Sequence, residues 1–193
     1  MSQVLAWVST EEQNVWKSRA YEEKGGTSGE SNLFLDGRDY QEMNGFGGCF
    51  NELGWVALSY LNEEDRERVI RELFDPELGA KFTHCRLPIG ANDYAVEWYS
   101  LNDHDGDYKM EHFSIERDLQ YLIPYVKSAL KYNPDLKIFA SPWSPPIWMK
   151  FPKVYNGGKL IWSDENLRAY ALYFVKFVQA YEAEGIKIGQ IHI

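Results

Sequence analysis

From Gly45 onward the chain alternates strand-like and helix-like segments, and this alternation restricts the fold more than any other feature of the sequence. Short apolar runs at 45–50, 81–87, 137–140 and 187–193 read as strands, and each of the first three is followed by residues with helical apolar spacing. Regular β-then-α order implies a parallel sheet with helices outside it. A complete eightfold barrel takes about 250 residues. Four strands in 193 residues therefore predict an α/β chain, the first half of a (β/α)8 TIM barrel.

The helices announce themselves by caps and stripes. Residues 52–60 are apolar and helix-like. Asn62 is placed to cap a helix that buries Val69, Ile70, Leu73 and Phe74 and stops at Asp75-Pro76. Ser114 is placed to cap another, with Leu119, Leu122, Ile123, Val126 and Leu130 on its apolar face; Pro124 should kink or restart it. Ser163 or Asp164 opens the last, whose predicted stripe is Leu167, Tyr170, Ala171, Phe174, Val178 and Tyr181, with Gly185 as the C′ residue. The prolines of 141–149 predict a rigid, non-helical loop. The inward layer of the half-barrel is expected to include Leu87 and Ile138 or their neighbours.

Residues 1–40 follow a different pattern. Gln3 to Tyr21 alternates loosely, as one or two strands outside the main core would. A turn is predicted over 25–31, a short strand over 32–35 and a hairpin-type turn at Asp36-Gly37. The chain thus divides at about residue 40, with the barrel units in 41–193.

Composition narrows the function classes. A net charge of −9 argues against nucleic acid and anionic membrane surfaces as partners. Seven Trp, thirteen Tyr and ten Phe exceed what a core alone requires, and flat rings that stack on the C–H faces of a pyranose suit a sugar cleft. No run of about 18 apolar residues suggests a transmembrane segment. Residues 1–20 lack the apolar stretch of a signal peptide, so a chain that truly starts at Met1 is expected to be cytoplasmic. Cys49 and Cys85 are expected to be free thiols rather than a disulfide framework.

Motif by motif, several chemistries drop out. Gly45-x-Gly47 is followed by Phe50 where a dinucleotide loop needs glycine, and Gly158-Lys159 is followed by Leu160 rather than the hydroxyl of a P-loop. The four histidines have no metal-ligand spacing, and Asp103, Asp105 and Asp107 read as a solvated acidic loop, so neither a metal nor any other cofactor is implied. What remains is position. In a β/α barrel the functional groups sit at the carboxyl ends of strands. Those ends carry Cys49, Asn51 and Glu52; then Arg86, Asn92 and Asp93; then Trp143 and Trp148. An arginine, a nearby carboxylate and a proline-braced indole make a plausible sugar subsite, with Arg86, Asp93 and Trp143 as candidates. Taken singly, Asp93 could equally cap a turn, Trp143 could fill a loop core, and Arg86 reads more simply as a partner for a barrel carboxylate.

Five stretches, in order, resemble glycoside hydrolase family 30, the family that includes lysosomal glucosylceramidase and β-1,6-glucanases. They are GFGGC at 45–49, RLPIGAND at 86–93, HFSIERD at 112–118, ASPWSPPIW at 140–148 and YFVKFVQAY at 173–181. The resemblance implies a barrel with a β-rich side domain that draws on residues 1–40, and retaining hydrolysis of β-glucosides or related carbohydrate or glycolipid substrates. By motif, Asp93 resembles the carboxylate that binds sugar hydroxyls, Trp143 the wall of the glycone subsite, and Arg86 the strand-end arginine that orients the catalytic acids. The family's acid/base follows its fourth strand in an Asn-Glu-Pro, and its nucleophile lies on a later strand. Both catalytic glutamates are therefore expected beyond Ile193, and activity is expected to require the remainder of the barrel. The competing expectation is a non-catalytic, carbohydrate-binding half-barrel.

Overall fold

The computed structural model describes residues 3–8, 17–22 and 36–193. The turn and strand predicted over 25–35 lie outside the described residues. The chain divides into two units, Met1–Glu42 and Met43–Ile193. In the first, β1 (Gln3–Val8) and β2 (Lys17–Glu22) form an antiparallel ladder with Gln3 opposite Glu22. At its carboxyl end Gly37 takes a φ of 70°, and the Asp36 carboxylate accepts from the Arg38 N–H at 3.0 Å, a tight turn.

The second unit is built on three parallel strands, β3 (His84–Ile89), β4 (Lys137–Pro142) and β7 (Gln190–Ile191), hydrogen-bonded in that order. The registers pair Arg86 with Phe139 and Ala140 with Ile191. On the far side of β3 runs the Gly-rich segment 45–50. It was expected as a strand but contributes one parallel bridge, Cys49 to Arg86. The backbone still tracks β3: the Arg86 N–H reaches Gly48 O at 2.9 Å and the Phe50 N–H reaches Arg86 O at 2.9 Å. The ladder stays incomplete because the segment approaches β3 too closely for side chains. A Cβ on Gly47 would lie 1.4 Å from the His84 carbonyl oxygen, and Gly45 turns at a φ of 145°. The spatial order is therefore 45–50, β3, β4, β7, which is the sequential order of half a barrel.

The connecting helices lie against one face of this sheet. After 45–50 come α1 (Glu52–Ser59) and α2 (Glu63–Phe74), capped by the side chains of Asn51 and Asn62. Ile70 and Phe74 are buried, while Val69 and Leu73 are only partly so. After β3 comes α3 (Leu122–Leu130), which begins seven residues later than a cap at Ser114 predicts. Ser114 does not cap a helix: its Oγ accepts from the Glu116 N–H two residues on, a local turn that competes with helix. Helix begins only where Pro124 can stand in the first turn, where its missing N–H costs nothing. Leu119, left in the irregular stretch, is 44% exposed.

After β4 the proline-rich loop includes one 3-10 turn at Ile147–Met149, which the predicted non-helical loop did not include, and a two-stranded ladder of β5 (Lys150–Phe151) and β6 (Lys159–Leu160). Then α4 (Asp164–Ala183) runs back to β7. Ser163 caps it, accepting from the Asn166 N–H at 3.2 Å. Its end is a Schellman motif: Gly185 sits at a φ of 79°, its N–H bonds Glu182 O, and the Ile186 N–H bonds Tyr181 O, both at 2.9 Å. The buried stripe is Asn166, Ala169, Tyr173, Phe174, Phe177 and Tyr181, rotated from the predicted one, and Ala171 faces solvent. Leu172, Val175 and Val178 make the helix apolar nearly all round, so periodicity alone did not select the face.

Strand alternation decides what points where. Cys85, Leu87 and Ile89, with Ile138 and Ala140, are buried among the helices, so Leu87 and Ile138 are outer-core residues rather than the inward layer expected of them. The opposite face carries Arg86, whose Nε donates to Ser141 Oγ at 2.6 Å, and Phe139, stacked on His192 at 4.7 Å between ring centroids. The inner face is thus polar and aromatic, not aliphatic. Both cysteines are free. Among the described residues, no helix is long and apolar enough to cross a membrane.

Candidate functional site

At the carboxyl end of β3 the chain turns through Gly90, at a φ of 75°, into the loop 91–113. Asn92 organises the turn. Buried to 5% exposure, it donates from Nδ2 to Gly90 O at 3.1 Å and accepts at Oδ1 from the Tyr94 N–H at 2.9 Å. The Ala91 N–H reaches across to Tyr99 O at 2.8 Å, closing the limbs of the loop on one another. With Asn92 turned in, its neighbour Asp93 is turned out and exposed.

Asp93 lines a recess of about 80 Å³ together with Trp98, Trp143, Ser144, Tyr155 and Asn156. Trp143 follows Pro142 at the end of β4 and is 46% exposed, an indole held by its backbone with one face free. Two of the three predicted residues thus meet in one recess. The third, Arg86, stands behind it: its guanidinium carbon lies 5.2 Å from the centroid of Trp143, a cation–π contact, while its Nε is held by Ser141. It supports the indole and lines none of the recess. Trp148, grouped with Trp143 by sequence, serves packing instead: it is buried and its Nε1 donates to Asn102 O at 3.0 Å.

Trp98 and Tyr155, 6.4 Å apart between ring centroids, form the side of the recess that sequence reading missed. Trp98 lies five residues beyond Asp93, in the same loop as the acidic run. Tyr155 carried no such cue. Its hydroxyl donates to Asp103 Oδ1 at 2.8 Å, and burial first, then this bond, raises its pKa above the ordinary phenol value. The acidic run is solvated, with Asp103 and Asp105 exposed, and its carboxylates also tie the loop to its neighbours. Asp103 also accepts from Ser100 Oγ at 2.7 Å, Asp105 pairs with Lys153 at 2.6 Å, and Asp107 accepts from Asn102 Nδ2 at 2.9 Å.

The loop is held from behind by two buried carboxylates and a partly exposed arginine. Glu52, 0% exposed, takes Arg117 Nε at 2.8 Å, Arg117 Nη2 at 2.9 Å and the Val96 N–H at 2.6 Å. Arg117 also donates to Glu97 O at 3.2 Å and lies over the Tyr99 ring at 4.4 Å. Next to this pair, Asp118 accepts from Tyr99 Oη at 2.6 Å and Tyr181 Oη at 2.7 Å. Burial pushes the Asp118 carboxyl up to about 6, against the two tyrosine bonds that favour its charged form. Tyr173 Oη accepts from the Leu101 N–H at 3.1 Å. Glu52 had been counted with the strand-end groups, yet its work is to hold backbone.

Chemically, the recess offers one free carboxylate to accept from vicinal hydroxyls and aromatic faces for the apolar side of a ring. It contains a single carboxylate, that of Asp93. Residues 43–192 match the profile of the glycosyl hydrolase family 30 TIM-barrel domain.

The chain belongs to glycosyl hydrolase family 30.

Among similar family members, putative glucosylceramidase 1 of Caenorhabditis elegans is 37% identical over 155 residues, which cover 77% of this chain and 29% of that protein. The structure of SrfJ from Salmonella typhimurium superposes with a TM-score of 0.82 at 28% identity, covering 98% of this chain and 42% of that one. The endo-beta1,6-glucanase BT3312 superposes with a TM-score of 0.72 at 31% identity, covering 81% and 36%. The chain spans about a third of the length of the curated relatives it matches, 29% of the worm protein and 31% of mouse lysosomal acid glucosylceramidase. The half-barrel with its sequential strand order is the part of the family 30 TIM-barrel domain that these residues build.

Proposed function

We propose that this chain supplies the amino-terminal half of the catalytic barrel of a retaining β-glycosidase acting on β-linked glucose, and that its recess receives the sugar on the non-reducing side of the scissile bond. The observation that carries this reading is the meeting of the exposed Asp93 carboxylate and the half-exposed Trp143 indole in one recess at the carboxyl end of the sheet. The carboxylate accepts hydrogen bonds from neighbouring hydroxyls, and the indole packs on the C–H face of the ring. Arg86, backed by Ser141, steadies the indole. Retaining hydrolysis needs two further carboxyl groups about 5 Å apart, and in this reading both come from strands carboxyl-terminal to Ile193. Residues 1–40 then contribute strands to a β-rich side domain. The names of the similar proteins support glucosylceramide and β-1,6-glucan as alternative substrates; both present β-linked glucose.

The test uses the protein expressed at its natural length. Asp93→Ala and Trp143→Ala should each lower kcat/KM on an aryl β-glucoside while thermal melting stays near wild type. Loss of a hydrogen bond to a charged group is worth about 1.5–3 kcal/mol, roughly ten- to hundredfold. Near-native kcat/KM for Asp93→Ala across several β-glycosides would remove it from the site. The second reading, a carbohydrate-binding half-barrel without catalysis, is favoured by the single carboxylate in the recess. An in-frame Asn-Glu-Pro shortly after Ile193 decides for the enzyme; a genuine stop codon there raises the binder reading, which sugar binding by the purified chain then tests.

A further inference from the structure

Behind the recess lies a charge that the proposed chemistry does not use. Lys150 opens β5 and is 5% exposed. Its Nζ donates to Ser144 Oγ at 2.8 Å and to Tyr155 O at 2.9 Å. Both acceptors are neutral, and among the described residues the ammonium is in no ion pair. Burial lowers its pKa from the ordinary lysine value. A desolvated charge with only neutral partners is a poor way to stabilise a fold, since an apolar side chain of similar length would avoid the desolvation.

What the ammonium joins explains it better. Ser144 directly follows Trp143, and Tyr155 faces Trp98; all four line the recess. Ser144 and Tyr155 lie on opposite limbs of the segment 143–156, and Lys150 reaches both from within it. Ser144 Oγ in turn donates to Pro145 O at 2.9 Å, so its lone pairs remain for the lysine.

We propose that Lys150 is a positioning residue for the sugar recess: its ammonium spans the two limbs of 143–156 and sets the separation between the Trp143–Ser144 wall and the Tyr155 wall. This inference rests on the recess being the sugar site. Lys150 touches no reacting atom, so its loss loosens ground and transition states alike and appears mainly in KM.

The experiment is steady-state kinetics on an aryl β-glucoside with the protein at natural length. Lys150→Met should raise KM about tenfold, change kcat less, and leave Tm unchanged or higher. Ser144→Ala should raise KM in the same direction, and the double variant should match Lys150→Met alone, since the lysine acts through Ser144. Trp143→Ala is the reference. If it leaves KM unchanged, the recess is not the sugar site and both readings fall. If it raises KM while Lys150→Met retains wild-type KM, the positioning role alone is overturned. Fully additive effects of Lys150→Met and Ser144→Ala overturn it too. Should Lys150→Met not fold, Ser144→Ala decides by itself, and a wild-type KM there refutes the proposal.

Discussion

Asp118 gives the chain a stability that depends on pH in the opposite sense to most carboxylates. It is fully buried, with two tyrosine hydroxyls as donors, Arg117 lowering and Glu52 raising its pKa, and its folded value stands at about 6 against an ordinary 3.8. A raised folded pKa means that the folded chain holds the proton more tightly than the unfolded chain. Below about pH 4 both states are protonated and the contribution is complete. Between roughly pH 4 and 6 the unfolded chain ionises first, and stability falls by about 1.4 kcal/mol per unit. Above the folded pKa the loss is complete, about 3 kcal/mol for a difference of about two units. Asp118→Asn removes the titration and keeps the shape. The amide oxygen still accepts from one tyrosine, and the amide nitrogen donates to the other once that hydroxyl turns. Urea unfolding of both proteins should therefore show the variant's relative stability rising by up to about 3 kcal/mol between roughly pH 4 and 7. The difference between the two curves cancels every other titrating group to first order. A difference that is flat across that range would refute the reasoning, because it would mean that Asp118 titrates alike in the folded and unfolded chains.

Three further outcomes follow from the frame. Glu52→Gln strips the charge that Arg117 and the Val96 N–H share, and because Arg117 keeps 26% exposure the cost should sit near the low end for a broken buried pair, about 3 kcal/mol, read as a drop in Tm. Gly47→Ala pushes a methyl to 1.4 Å from the His84 carbonyl oxygen, so the 45–50 segment must leave β3; expression should yield little folded protein by circular dichroism, and a wild-type melt would contradict the packing. Thiol titration of denatured, unreduced protein should find two free cysteines, and finding none would overturn the assignment.

How far the sequence could be read follows from where each signal is local. Parallel strands with crossover helices were legible because each unit carries its own period and caps: Asn62, Ser163 and Gly185 sit where local hydrogen bonding requires them. The start of α3 was misjudged because Ser114 satisfies a backbone N–H equally well in a turn. The buried stripe of α4 was misjudged because a helix apolar on several sides needs a neighbour to choose its face. Asp93 and Trp143 stand out in the sequence as motif residues at strand ends, and the fold brings them into one recess. Arg86 was legible in type and place but not in its contact with Trp143. Tyr155, Lys150 and the bond from Arg117 to Glu52, 65 residues apart, were invisible because nothing in their own neighbourhoods marks them as partners.

The alternation at Asn92 and Asp93 separates two tasks along one short loop. Side chains of Asn92, Glu52, Arg117, Tyr173 and Trp148 hold the backbone of 91–102, while those of Asp93 and Trp98 line the recess. The outward side chains contribute little to keeping the loop in place, so replacing them changes what is bound without changing where the loop stands. If the recess is the sugar site proposed above, such a scaffold can acquire a new sugar preference by single substitutions at positions 93 and 98, with no intermediate that must first lose its fold. Within one lineage of such barrels, specificity can then diverge faster than stability.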